Sequence, residues 1–184
     1  MQAYLIGFTS LLLSPVLNLY LRLFDPQNAR FLRLDARAAR AFRRGDDSKA
    51  AALASEALQL VDNYVDDWNY GNVIHDSHQI LGLVSLRSGN MEQARAHLLA
   101  AGSTPGSPQL ASFGPKMILA RALLEKGETQ VVAEYLELVA KFWAAEKDSE
   151  SREYYRRHKQ LLQEWQADIA AGRIPKYWLW RVNI

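Results

Sequence analysis

The sequence contains no cysteine, which removes disulfide frameworks, thiolate zinc sites and thiol nucleophiles from the functions open to it. Its net charge is only +2, from 22 Lys and Arg against 20 Asp and Glu. That is too near balance for a protein that grips nucleic acid by bulk charge. No Gly-x-x-x-x-Gly-Lys-Ser/Thr loop, Gly-x-Ser-x-Gly elbow or His-Glu-x-x-His pair occurs, so the patterned forms of nucleotide, acyl-transfer and zinc-peptidase chemistry are missing. Nothing in the chain calls for a cofactor. What remains is an ordinary folding composition, 49% apolar and 23% charged over 184 residues, enough for one domain or one domain with an appendage.

Charge is also missing from Met1 to Leu21, and Arg22 is the first ionised side chain. Leu11-Leu12-Leu13, Val16-Leu17 and Leu19-Tyr20-Leu21 make this stretch strongly apolar, and about 20 such residues span a bilayer as a helix. It makes a poor signal peptide, since no basic n-region precedes it and no small-x-small cleavage site follows. Residues 1–24 therefore have two readings. One is a membrane anchor, and the arginines that follow would then keep the rest of the chain in the cytoplasm at the inner face. The other is an apolar helix packed on the core, or a start site placed too far upstream.

Arg30, Arg33, Arg37, Arg40 and Arg44 fall at i, i+3, i+7, i+10 and i+14, a single stripe on a helix. Phe31, Leu34, Ala38, Ala41 and Phe42 form an apolar stripe beside it. Over the next residues the sign reverses, with Asp46, Asp47, Glu56, Asp62, Asp66 and Asp67 against Lys49 alone. The row fits anionic headgroups, an acidic partner or a phosphate backbone. The bland alternative is a solvated face, or pairing with the acidic residues of the next helix.

Residues 29–143 alternate apolar helical stripes with three punctuated turns, Gly45-Asp46, Gly89-Asn90 and Gly127-Glu128. Glycine is the usual residue just past a helix end. Asn90 suits an N-cap, with Gln93 as its capping-box partner. The turns lie 44 and 38 residues apart, somewhat more than the period of about 34 in a bare tetratricopeptide repeat. On Leu81-Gly82, Gly89-Asn90, Ala94, Leu98 and Ala101, the central copy resembles the tetratricopeptide-repeat (TPR) family. Leu119-Ala120, Gly127-Glu128, Val132, Leu136 and Val139 give a third, weaker copy, and Ala38 with the alanines of 48–57 a first. The Thr-Pro-Gly-Ser-Pro-Gln-Leu stretch at 104–110 also resembles bacterial TPR-like proteins without an assigned activity. The resemblance implies an all-α, TPR-like stack of about three helical hairpins over 25–148. Residues 149–184 would supply a capping helix and an aromatic tail. Tyr154, Tyr155, His158, Leu161, Leu162, Trp165 and Ile169 form the stripe expected of that cap, ended by Gly172 and Pro175.

Such stacks bind partners on the concave surface lined by the first helix of each hairpin. That makes Asn72, His75, Asp76, His78 and Gln79 the expected contacts for a protein or peptide partner, without catalysis and without nucleic acid. The competing class is a metal-dependent binder or enzyme centred on His75 and His78, which share a helix face at i and i+3. The loop 103–115 is long for a helix–helix connection. It reads as a connector stiffened by Pro105, Pro108 and Pro115, with Phe113 pinned inward. Tyr177, Trp178 and Trp180 beside Lys176 and Arg181 suit either a membrane interface or a tail folded onto the core.

Overall fold

The computed structural model describes residues 26–145, 152–177 and 179. The apolar stretch 1–24, Trp178 and Trp180 lie outside those residues. The described chain is all-helical, with no strand among its residues. A short α1 (Pro26–Phe31) leads into α2 (Leu34–Arg43) and α3 (Asp47–Leu60), which ends in a 3-10 turn at Val61–Tyr64. Next come α4 (Tyr70–Arg87), α5 (Met91–Gly102), a short α6 (Pro108–Phe113) and α7 (Ile118–Leu124). The chain then forms α8 (Thr129–Trp143) and α9 (Arg152–Ala170).

The same turn chemistry closes the pairs α2/α3, α4/α5 and α7/α8. At Gly89, φ is +82°, a backbone conformation that a side chain resists and glycine does not. The Asn90 N–H then reaches back to Ser85 O at 2.8 Å, satisfying a carbonyl the helix end would leave orphaned. Asp46 bonds Ala41 O and Glu128 bonds Leu123 O in the same way, both at 3.0 Å. Asn90 and Asp46 also cap the next helix, each accepting a backbone N–H three residues on at 3.1 Å.

Alanine-rich α3 needs little help to form, and it buries Ala50, Leu53, Ala54 and Ala57 on one face. These pack with Phe31, Leu34, Ala38, Val73 and Ile80 into a core shared by α1 to α4. A second core runs from α4 to α9 through Leu83, Leu98, Leu119, Tyr135, Leu136 and Trp165. Phe42 packs against both cores, covered by Arg87 with its guanidinium carbon 3.9 Å from the ring centroid. Arg87 also pairs with Asp47.

α9 covers α8. Trp143 stacks on His158 with ring centroids 4.3 Å apart and on Trp165 at 5.5 Å. Tyr155, Leu162 and Ile169 are buried along the same stripe. The segment after Gly172 returns to this core, with Tyr177 against Trp165 and Leu179 buried near Trp143 and Gly114. No helix of the described residues is long and apolar enough to cross a membrane.

Candidate functional site

α4 is the middle of the molecule, packing against α2, α3, α5 and α7. Asn72, His75, Asp76 and Gln79 occupy positions i, i+3, i+4 and i+7 of it, one face. The structure encloses Asn72, His75 and Gln79, because the loop 103–117 and the start of α7 lie across them. Asp76 and His78 are half-buried. Buried polar groups need partners, and here Ser107, Gln109, Lys116 and Leu119 of the covering segment supply four of them, with Asn69, Ala101 and Tyr135 supplying the rest.

Gly71 allows the closest approach. A Cβ there would lie 1.9 Å from Gly106 O, a backbone atom. Thr104 Oγ1 donates to Gly71 O at 2.8 Å, holding the loop down. Ser107 Oγ donates to Asn72 Oδ1 at 2.5 Å, and the Asn72 amide donates to Asn69 Oδ1 and Gln109 Oε1. One turn further, His75 Nδ1 faces Ala101 O at 3.0 Å and Nε2 accepts the Lys116 N–H at 3.0 Å. Those partners assign the neutral tautomer with its proton on Nδ1. Burial also pushes the His75 pKa down. Gln79 Oε1 accepts Leu119 N–H at 3.2 Å. Met117, at the N-cap of α7, gives no side-chain cap, so a glutamine from another helix does that work. Tyr135, wholly buried, donates to Lys116 O at 3.2 Å.

This geometry uses both ring nitrogens of His75, leaving no lone pair for a metal. His78 turns to α5, where its Nδ1 lies 3.1 Å from His97 Nδ1. One of the two must donate and the other accept. Burial, then the neighbouring His97 and His75, lower the His78 pKa to about 4. Burial also lowers that of His97. Among the described residues no three His, Asp or Glu side chains are grouped to hold a metal ion.

What faces solvent is the Asp76–Lys116 ion pair, Nζ to Oδ2 2.5 Å, with the lysine side chain 42% exposed and the aspartate 14%. It forms a wall common to two adjoining grooves. One, of about 260 Å³, is also lined by Asp35, Ala39, Arg40 and Arg43 of α2. Burial pushes the Asp35 carboxyl up, opposed by its hydrogen bond from the Ala36 N–H. The second groove, of about 120 Å³, adds Asn72, Gln109, Leu110 and Phe113. Phe113 corrects an expectation from sequence, since it is 68% exposed and Leu110 is the buried residue of α6. α6 ends directly after Phe113 at Gly114, which sits at φ +81° where a Cβ would meet Leu179 and Trp143.

Lys116, Gln109 and Asp35 escaped the sequence reading, since one comes from a loop and two from other helices, with no local pattern to link them to α4. No protein-family model, no curated protein and no solved structure matches the chain.

Proposed function

We propose that the chain is a non-catalytic, TPR-like scaffold that holds a peptide segment of a protein partner where α2, α4 and the loop 103–117 meet. The three hairpins would form the stack and α9 its cap. The observation that carries this reading is the partly exposed Asp76–Lys116 pair between two adjoining grooves, with Phe113 standing free at the rim. A peptide there meets one anion and one cation at fixed separation and an aromatic face for an apolar side chain. Of the contacts expected from sequence, Asp76 keeps a direct role. Asn72, His75 and Gln79 would hold the loop that shapes the groove.

The test is affinity capture with tagged full-length protein beside Lys116→Glu and Phe113→Ser variants. Loss of the captured partner with unchanged helicity supports the groove, and equal capture by all three excludes it. The proposal places the scaffold in the cytoplasm, and fractionation beside a version starting at Asp25 decides whether residues 1–24 attach it to a membrane. Membrane recovery of the full chain alone would establish the anchor. Soluble recovery of both would remove it.

A further inference from the structure

A second groove lies on the first hairpin and shares only Arg40 with the groove walled by the Asp76–Lys116 pair. Arg37 and Arg40 of α2, Arg44 at its C-cap, Asp46 and Lys49 of α3 line a groove of about 430 Å³ whose floor includes Ala41 and Leu53. Arg30 has taken Glu56 as its partner, Nε to Oε1 2.5 Å. Arg37, Arg40, Arg44 and Lys49 have no side-chain partner of that kind among the described residues. Asp46 also lines the groove, where its carboxylate accepts the Lys49 backbone N–H at 3.1 Å. Four exposed cations thus border the groove against a single carboxylate, Asp46, which leaves its lining strongly positive.

We infer that this groove docks an acidic segment of a protein partner, with carboxylate side chains on Arg37, Arg44 and Lys49 and an apolar side chain over Ala41 and Leu53. The spacing fits, because Arg37 to Arg44 spans seven residues of helix, about 10 Å at 1.5 Å per residue. Three carboxylates on one face of a peptide cover a similar length. Guanidinium groups grip carboxylates in bidentate fashion, stronger than a point-charge contact. A flat anionic membrane would meet the guanidinium groups without reaching the floor, since Ala41 and Leu53 are 6% and 8% exposed. A nucleic-acid strand longer than the groove would run on to Asp47 and the acidic residues beyond it, where its phosphates are repelled.

The probe is a fluorescein-labelled hexapeptide of alternating glutamate and leucine, with the glutamine version as its control. Binding to the full chain is followed by anisotropy at low and moderate salt. The variant Arg37→Gln/Arg44→Gln/Lys49→Gln should weaken binding about tenfold or more, and added salt should weaken it in the unaltered chain. The variant Lys126→Gln/Arg157→Gln/Lys159→Gln loses the same charge from exposed sites elsewhere and should change it by less than about twofold. Melting curves of both variants check that the fold persists.

Equal weakening by both variants overturns the site, as does equal binding of the glutamine peptide or no binding at all. Tighter, Arg37-dependent retention on phosphatidylserine vesicles or polyuridylate overturns the choice of partner. Arg40 is left unaltered because it also borders the groove beside Asp76. Lys116→Glu and Phe113→Ser should leave acidic-peptide binding intact, so each site fails or stands alone.

Discussion

His75 holds Lys116 by its backbone. The imidazole Nε2 accepts the Lys116 N–H at 3.0 Å while Nδ1 donates to Ala101 O at 3.0 Å. One ring thus ties the end of α5 to the segment entering α7, inside a site with no solvent exposure of the histidine. His75→Ala would leave a buried N–H and a buried carbonyl unpaired, each costing about 1–3 kcal/mol. The expected loss is about 3 kcal/mol in urea unfolding. A loss below about 1 kcal/mol would mean the two groups find other partners.

Two glycines of α4 should answer the same substitution differently. Gly71→Ala drives a methyl into Gly106 O, a backbone atom, so the loop 103–117 must lift. Gly82→Ala meets Leu119 Cδ2, the end of a flexible side chain, at 2.2 Å. Overpacking of this kind costs about 1–3 kcal/mol, with Gly71→Ala at the upper end and Gly82→Ala at the lower. Hydrogen exchange at Gly106 and Leu110 should quicken only in Gly71→Ala. Similar exchange in both variants would show that the loop is not pinned at Gly71.

Acid should weaken the fold through its histidines. His75, His78, His97 and His158 all have pKa values lowered mainly by burial, so below pH 6.5 the unfolded chain binds protons that the fold refuses. Stability present above that pH is therefore lost as pH falls, and for His78 the loss runs from 6.5 to about 4. Each such histidine adds at most about 1.4 kcal/mol per pH unit to the slope. Urea midpoints at pH 7, 6 and 5 should fall in that order, and His78→Gln should flatten the trend. An unchanged slope in that variant would assign the acid response to the other histidines.

The turns at Gly45, Gly89 and Gly127 could be read from the sequence because each is settled by residues within a few positions of it. The stripe of α9 was equally visible, since helical periodicity marks an apolar face whatever covers it. The polar face of α4 was harder. Asn72, His75 and Gln79 look like an exposed recognition surface, and a pattern along one helix cannot show what lies across it. Their partners are 26 residues away at Ala101, 41 at Lys116 and 56 at Tyr135. Phe113 was expected inward, and the structure leaves it exposed while Leu110 is buried. The space beside Gly114 is filled by Leu179 and Trp143, which lie far along the chain and out of reach of a local pattern.

The bonds that α4 makes to the loop 103–117 also limit what gene duplication could do with this architecture. In an array of interchangeable units, a copy can be added because each unit offers its neighbour the same surface. Here α4 presents His75 and Gln79 to a segment of one particular sequence and length. A hairpin inserted after Gly102 would strand those side chains against a surface that cannot bond them. If the hairpins form the proposed stack, its growth would be blocked at the centre and new length would be added at the ends.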